Sequence, residues 1–333
     1  MSASAATSEE PDNFVPYYDQ LDANGKAIFD ALESADAEAH EITVGLPVIL
    51  TAKANDPHTA EEYVRNLLRT TIDDAFDALR LSSPMAYWGW TVSTVPYPTA
   101  DLTITGNTAT VTEIYFQIRL DQYPPDPETG VFGGIQKMLD DLNAALEKFS
   151  TDGKTVRDKV EDINNYLVNL VTYDPNWESE EKSRYAHDAY GALVDPKHYA
   201  VCDGYSEAFL LLCQKEGIEC VIVYGTAISN MENHAWNYVK MDNGKWYAVD
   251  VTWNDGSNNA YLLKGGDTFF YTHHQGVYLK SGWIPYPFIS PVLSDTAYDH
   301  TPVAWYGNYS WLLAVVIVAL ISAVLYKYSR GNK

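Results

Sequence analysis

Cys202-Asp-Gly-Tyr-Ser-Glu-Ala-Phe-Leu-Leu-Leu-Cys213, which runs on to Gly217, is the stretch of sequence that decides the fold. Five of its residues recur at positions i, i+3, i+4, i+7 and i+8, which predicts a helix with one buried stripe: Tyr205, Ala208, Phe209, Leu212 and Cys213. Gly217 is a natural helix stop. Because Cys202 lies three residues before Tyr205 on the same stripe, we expect it in the first turn of a core helix. There the unpaired backbone N–H groups and the positive dipole end favour a thiolate.

A β-hairpin is predicted downstream. The runs His234-Ala-Trp-Asn-Tyr-Val-Lys240 and Trp246-Tyr-Ala-Val-Asp250 flank the turn residues Asp242-Asn-Gly244. If the loop has three residues, Met241 faces Lys245, and His234 and Asp250 lie on one sheet face as diagonal neighbours, where a carboxylate can orient an imidazole. A two-residue loop would place Asp250 on the opposite face. The proposed chemistry therefore predicts the longer loop or a compensating bulge.

The three cysteines are interpreted differently. A thiolate acts as a nucleophile when a histidine held by a third group can take its proton, so Cys202, His234 and Asp250 form a candidate catalytic triad. A lone helix cysteine is usually a core residue, and we interpret Cys213 and Cys220 in that way. Outside a cell these two could form a disulfide.

These segments resemble the transglutaminase-like superfamily of papain-fold cysteine enzymes. The resemblance also includes Ala200-Val201, Gly217-Ile218, Tyr224-Gly225 and Val251-Thr-Trp253, and it covers roughly Tyr185 to Leu279, under a third of the chain. The arrangement is similar to membrane-tethered and secreted bacterial members with an accessory domain before the core. The resemblance implies that Cys202 is the nucleophile, His234 the base and Asp250 the orienting acid, with no cofactor.

The activity implied is thiol-dependent acyl transfer on a protein or peptide substrate. Cys202 would attack a glutamine carboxamide or a peptide carbonyl, and an amine or water would resolve the thioester. A cysteine peptidase with the same triad and a noncatalytic cell-surface binding module remain alternatives. The Cys202 backbone N–H is a plausible oxyanion donor, and Tyr190 in Asp188-Ala-Tyr-Gly-Ala-Leu193 is a candidate second donor or a core aromatic.

Other histidines predict no metal site. His273 and His274 are adjacent, so on a strand they would point to opposite faces, and no Cys/Asp pattern completes a site around them. We expect structural or rim roles for both. His187 and His198 could line a cleft, although surface placement is the default expectation.

The length and composition indicate a chain with more than one domain. It has 333 residues, of which 46% are hydrophobic, and its 22 basic and 45 acidic residues give a net charge of −23, which disfavours nucleic acid as a partner.

Most of this acidity lies before residue 151, where helical patterns (Leu21 to Ala39; Thr59 to Leu81) alternate with strand-like runs at Ile42–Leu50, Tyr87–Val95 and Ala109–Leu120. No cluster in this part predicts catalysis. Gly130 to Tyr173 is interpreted as two helices broken at Ser150-Thr-Asp-Gly153.

The C-terminal segment from Tyr309 to Tyr328 predicts a transmembrane helix. It has no charge from Trp311 to Tyr326, and its 20 residues match a bilayer core of about 30 Å. Aromatic residues lie at both ends, and the basic residues that follow indicate a cytoplasmic C-terminus. A buried core helix is the alternative. Met1 to Glu10 lacks the apolar region of a signal peptide, so either a removed signal precedes the chain or a tail-anchored protein faces the cytoplasm. The basic tail favours the first.

We therefore expect an α+β fold, with a transglutaminase-like (papain-like) core, an N-terminal α+β accessory domain and a C-terminal transmembrane helix. The expected location is the cell membrane, with the catalytic domain outside. The expected boundaries are 1–15 (disordered), 16–150 (accessory), 151–281 (catalytic), 282–308 (tether), 309–328 (transmembrane) and 329–333 (cytoplasmic tail).

Overall fold

The computed structural model describes residues 14–35, 41–86, 99–117, 134–179, 181–279, 282–284 and 287–299. The chain divides into two units, Met1–Ala297 and Tyr298–Lys333. The predicted transmembrane segment, the strand-like run Tyr87–Val95 and residues 1–13 of the expected disordered tail lie outside the described residues. No helix among the described residues is long and apolar enough to cross a bilayer.

The N-terminal module, defined as the described residues from 14 to 117, packs helices on one three-stranded sheet. Its helices are α1 (Tyr17–Gln20), α2 (Ala23–Glu33) and α3 (Pro57–Ser82). Its strands β1 (Glu41–Lys53), β2 (Thr99–Thr105) and β3 (Thr108–Gln117) form an antiparallel sheet with β3 in the centre. Helix α3 begins at Pro57 because Asp56 accepts a hydrogen bond from the Thr59 backbone N–H at 2.9 Å and caps it.

Two helices lead from this module to the cysteine motif. They are α4 (Gly134–Lys148) and α5 (Val156–Leu170), separated at the turn cluster that the sequence predicts as a break. Helix α5 starts with a complete capping box, in which Thr155 and Asp158 satisfy each other's backbone N–H groups. The short elements β4 (Thr172–Tyr173), α6 (Ala189–Leu193) and β5 (Tyr199–Ala200) follow, with β4 and β5 parallel.

Helix α7 (Cys202–Lys215) is the predicted core helix, and Cys202 is its first residue. Every residue of the predicted stripe is 0% exposed. The helix ends as the sequence predicts, because Gly217 takes φ +70° and the Ile218 backbone N–H donates to the Cys213 carbonyl at 2.9 Å. Cys213 is buried, Cys220 is half-buried, and both are free thiols that hydrogen-bond to each other.

A second sheet packs against α7 in the order β8-β7-β6-β9, with all neighbours antiparallel. Its strands are β6 (Cys220–Ala227), β7 (Glu232–Lys240), β8 (Trp246–Val249) and β9 (His273–Gln275). The register of the three-residue loop is confirmed, since Lys240 pairs with Trp246 and the Met241 backbone N–H donates to the Lys245 carbonyl at 2.9 Å. Gly244 supplies the left-handed position with φ +76°. The mixture of helices with two antiparallel sheets makes the described chain α+β.

Shorter elements complete the fold, and part of the expected tether belongs to them. Helices α8 (Val251–Asn254) and α9 (Gly266–Phe269) precede a small pair of strands, β10 (Val277–Leu279) and β11 (Gly282–Ile284). Strand β11 pairs with β10, and Phe288 and Leu293 are buried at 8% and 7% exposure. Part of the segment interpreted as a tether therefore packs on the fold, because Phe288 and Leu293 find apolar partners there.

The N-terminal module contacts the second sheet and α7 directly. Phe14 packs edge-on against Trp246 with ring centroids 5.4 Å apart, and the Tyr17 hydroxyl donates to the Ile222 carbonyl at 3.2 Å. At the far end of α3, the Gln214 side chain donates to the Ser82 carbonyl at 2.9 Å. The last of these contacts holds the C-terminal end of α3 beside α7.

Candidate active site

A cleft of about 870 Å³ contains both of the reactive side chains that the sequence predicts. Cys202 lines it from the N-terminal end of α7, and His234 lines it from β7. Asp250 lies behind His234 and is 0% exposed. The predicted triad residues are thus brought together at one edge of the second sheet.

On the sheet side, His234 and Trp253 line the cleft, and Asp250 and His273 lie buried behind them. The Nε2 atom of His234 lies 2.8 Å from Oδ2 of Asp250, and Oδ1 of Asp250 accepts from the Trp253 backbone N–H at 3.0 Å. The indole of Trp253 stacks on the His234 ring, with centroids 5.2 Å apart. Both carboxylate oxygens are therefore occupied, which fixes the plane of the carboxylate and the orientation of the imidazole.

Asp250 is ionised despite its complete burial. Burial by itself raises the pKa of this carboxyl. The charge of His234 and the hydrogen bonds from His234 and His273 outweigh burial and lower the pKa of Asp250 to about 2. The acid is consequently charged at neutral pH, as an orienting group in a triad must be.

His273 also belongs to this network, although its sequence context predicts only a structural or rim role. Its Nε2 lies 3.0 Å from the same Oδ2 of Asp250, and its Nδ1 lies 2.8 Å from the Thr272 hydroxyl. His273 is 0% exposed and stacks on Phe269 at 3.9 Å, whereas His274 is exposed, so the prediction of opposite faces is confirmed. Burial lowers the pKa of His273, which favours its neutral form. Only the position of β9 beside β6 could have revealed this contact.

Within the part of the chain that the structure describes, His234, Asp250 and His273 are also the group whose potential metal-ligating atoms converge, within 4.8 Å of one another. Both imidazoles already hydrogen-bond to the carboxylate at 2.8 and 3.0 Å. These hydrogen bonds account for the cluster without an ion.

The helix side of the cleft consists of Arg80, His187, Cys202 and Asp203. The Ala235 backbone N–H, next to His234 on β7, donates to the Cys202 sulfur, and the thiol donates to Oδ1 of Asp203 at 3.6 Å. Since Asp250 occupies Nε2 of His234, Nδ1 is the ring nitrogen left to exchange a proton with the sulfur. The thiol and its candidate base therefore line the same cleft, with Ala235 linking the sulfur to the strand that carries His234.

The expectation that the helix N-terminus favours a thiolate is wrong for the resting protein. Burial raises the pKa of the Cys202 thiol well above its ordinary value, and the neighbouring Asp203 carboxylate raises it further. A helix dipole contributes about 1 kcal/mol or less, whereas desolvation of a buried group shifts its pKa by several units. Cys202 therefore rests as a thiol, and its activation requires proton transfer.

Asp203 connects the thiol to the N-terminal module. Its Oδ2 lies 2.7 Å from Nη2 of Arg80 on α3 and 3.0 Å from Nδ1 of His187. Burial raises the pKa of Asp203, but the His187 hydrogen bond and the Arg80 charge outweigh it, and the pKa is lowered overall. No sequence pattern in the region that supplies Arg80 predicts catalysis, and none indicates that this arginine reaches the cleft.

Tyr190 does not occupy the position expected of an oxyanion donor. Its hydroxyl points to Asp141 on α4 at 3.5 Å, its ring packs on Tyr185 with centroids 4.9 Å apart, and it does not line the cleft. The short helix α6 turns this side chain toward α4. Of the two other histidines, His187 lines the cleft, while His198 bonds the Ala192 carbonyl at 2.9 Å instead.

Comparisons with known proteins place the site within a family. Residues 143–251 match the family profile described as the transglutaminase-like superfamily, and no curated protein matches the chain. Among solved structures the chain is similar to a TGase, at 18% identity over 46% of this chain and 43% of that one, with a TM-score of 0.29. A proposed cysteine protease from Cytophaga hutchinsonii follows at 16% identity, over 48% and 63%, with a TM-score of 0.26.

A third similar structure is the periplasmic domain of TgpA from Pseudomonas aeruginosa, at 12% identity over 48% of this chain and 68% of that one, with a TM-score of 0.23. The chain spans less than two-thirds of the length of the first two structures. The profile match contains Cys202, His234 and Asp250, whereas Arg80 and His273 lie outside it. Residues 143–251 of this chain are therefore a domain of the transglutaminase-like superfamily.

Proposed function

We propose that the protein catalyses thiol-dependent acyl transfer on protein substrates, with Cys202 as nucleophile, His234 as general base and Asp250 as orienting acid. The observation that carries the proposal is the buried Asp250–His234 pair, joined at 2.8 Å, which shares one cleft with the thiol. A carboxylate in this position holds the imidazole in one tautomer and stabilises the imidazolium that forms when it accepts a proton.

The raised pKa of Cys202 sets the order of the first step. Because the resting sulfur is a thiol, Nδ1 of His234 takes its proton as the sulfur attacks the carbonyl carbon of a glutamine carboxamide or peptide. The imidazolium then gives that proton to the leaving nitrogen, which departs as ammonia or an amine and leaves a thioester. An amine or water attacks the thioester, His234 takes its proton, and the thiol is regenerated.

The developing oxyanion requires donors close to the sulfur. Cys202 is the first residue of α7, and the backbone N–H groups of a first helical turn have no partner within the helix. The Cys202 backbone N–H is therefore the donor that we propose.

The test is amine incorporation. Wild-type protein is incubated with a labelled primary amine and a glutamine-containing protein, and is compared with Cys202→Ala and with Cys220→Ala, whose sulfur lies outside the cleft. We expect wild type and Cys220→Ala to incorporate the label and Cys202→Ala to lose incorporation while keeping its circular dichroism spectrum. Retained activity in Cys202→Ala would refute the assignment. Cleavage of peptides without incorporation would support the peptidase alternative, and folded wild-type protein that neither incorporates the amine nor cleaves peptides would support the binding module.

We also propose that the domain lies outside the cell and is anchored by residues 309–328. The uncharged run of this segment and the basic residues after it support the proposal. Protease treatment of intact cells tests it, because an external domain is digested whereas a cytoplasmic one survives.

A further inference from the structure

The C-terminal end of α3 forms part of the cleft wall. Asp77 and Arg80 line the cleft, although both belong to the N-terminal module, which precedes the family match. The hydrogen bond from Gln214 to the Ser82 carbonyl, at 2.9 Å, fastens this end of α3 to α7. The cleft is therefore built by two parts of the chain that are far apart in sequence.

Arg80 contacts Asp203 and Tyr224 at the cleft. Its Nη2 atom lies 2.7 Å from Oδ2 of Asp203, and its guanidinium lies over the Tyr224 ring, 4.2 Å from the centroid. The side chains of Arg80 and Asp203 are 26% and 12% exposed. A charge-assisted hydrogen bond and a cation–π contact in this shielded position fix the guanidinium more firmly than a surface ion pair would.

The Asp203 carboxylate connects Arg80 to the proposed nucleophile. One oxygen, Oδ2, forms hydrogen bonds with Arg80 and His187. The other, Oδ1, accepts a hydrogen bond from the Cys202 thiol at 3.6 Å. A carboxylate beside a thiol disfavours its ionisation, and a cation on the same carboxylate reduces that effect. The charge of Arg80 therefore acts on Cys202 through Asp203.

We propose that Arg80 is a positioning residue for Cys202, and that the N-terminal module sets the readiness of the nucleophile to ionise by fixing and neutralising the Asp203 carboxylate. The inference rests on the proposed role of Cys202 as the nucleophile. The N-terminal module then has a function at the site, beyond packing against the second sheet and α7.

Other titratable groups surround this pair and must stay the same in the test. Those that face Cys202 or Asp203 from the packed elements are His187 before α6, Asp188 and Glu207 behind Asp203, Tyr173 on β4, His234 on β7 and Asp250 after β8. Because His187 contacts the same oxygen as Arg80, Asp203 keeps this partner when the arginine is replaced, and the carboxylate loses the permanent charge beside it.

The experiment follows alkylation of Cys202 in the full chain by iodoacetamide as a function of pH, with the modified peptide quantified by mass spectrometry. The test variant is Arg80→Gln. The matched control is Arg65→Gln, which removes the same charge from the same helix, because Arg65 pairs with Glu61 at 2.8 Å on the exposed face. We expect Arg80→Gln to lower the alkylation rate of Cys202 about tenfold at each pH between about 7 and 9, where the rate follows the small thiolate fraction and a tenfold drop corresponds to a rise of about one unit in the thiol pKa. Arg65→Gln should match wild type.

Two further variants separate this effect from a purely structural one. Asp203→Asn should raise the alkylation rate, and Arg80→Gln combined with Asp203→Asn should return it to that of Asp203→Asn alone. An unchanged rate in folded Arg80→Gln, or in Asp203→Asn if Arg80→Gln does not fold, would overturn the proposal. Alkylation does not require a substrate, so wild-type protein that shows these profiles without incorporating an amine would refute the proposed function and leave the role of Arg80 standing.

Discussion

The two sides of the cleft hold their reactive groups by opposite means. On the sheet side, a fully buried carboxylate is kept charged by two histidines, and its pKa is lowered to about 2. On the helix side, the thiol is kept neutral, because burial and Asp203 raise its pKa. In the proposed mechanism, the difference means that the base is prepared in advance, whereas the nucleophile is activated only when its proton moves.

The two sides also differ in their origin. The sheet side comes from a hairpin and the strand and short helix next to it, all between residues 232 and 275. The helix side depends on Arg80, which lies 123 residues before its partner Asp203. The sheet side is thus a local construction, and the helix side requires the N-terminal module.

The largest expected effect comes from breaking the sheet side at Asp250. Asp250→Asn keeps the shape of the side chain but removes the charge that orients His234 and stabilises its protonated form. We expect kcat for acyl transfer to fall on the order of 10³-fold or more. The control is Asp242→Asn, in the exposed turn of the same hairpin. A loss below tenfold in Asp250→Asn would show that the acid does not act through His234.

A smaller effect is expected at His273, which holds the same carboxylate from behind. His273→Phe preserves the stacking on Phe269 but removes a donor from buried Asp250, so the free energy of unfolding should fall by about 2 kcal/mol. Looser orientation of Asp250 should also lower kcat by about tenfold.

Urea denaturation and steady-state kinetics measure the two effects of the His273 substitution. His273→Gln, which can still donate, should recover part of both losses, and exposed His274→Phe should change neither. If Gln and Phe at position 273 behave alike, the hydrogen bond to Asp250 is not what matters.

The two sides should respond oppositely to pH. The pKa of Asp250 is about 2 in the folded protein, below its ordinary value of 3.8, so its contribution of about 2 kcal/mol is present above pH 4 and lost as the pH falls toward 2. Behind the helix side, burial raises the pKa of Asp188 to about 7. Its contribution is therefore present below pH 4 and lost as the pH rises through 7.

Urea unfolding at pH 3, 5 and 8 measures this contrast. Asp188→Asn should flatten the dependence of unfolding free energy on pH between 5 and 8, and Asp250→Asn should flatten it below pH 4. Curves for Asp188→Asn that stay parallel to wild type from pH 5 to 8 would contradict the assignment of that window to Asp188.

The smallest effect is expected at Tyr190, because its hydroxyl faces Asp141 and not the cleft. Tyr190→Phe should leave kcat and KM within about twofold of wild type. Tyr173→Phe, at a tyrosine that does line the cleft, provides the comparison. A loss of activity in Tyr190→Phe alone would restore the oxyanion role that the sequence suggests.

Local pattern was enough to predict several features. The helical spacing from Tyr205 to Cys213 predicted α7 and its buried stripe, because side chains three and four residues apart share a helix face. Gly217 predicted the end of that helix, and Asp242-Asn-Gly244 together with the chemistry required of Asp250 predicted the register of the hairpin. These features involve residues close together in the chain, for which turn geometry and periodicity are sufficient.

The sequence alone therefore determined the cysteine helix, the hairpin and the pairing of His234 with Asp250, since short-range geometry specifies each of them. Only the tertiary structure decided that Arg80 reaches Asp203, that His273 joins Asp250 and that Tyr190 turns away from the cleft. It also decided that Cys202 rests as a thiol. The physical reason is that contacts between distant segments, and the desolvation that sets a pKa, depend on how complete elements pack against one another.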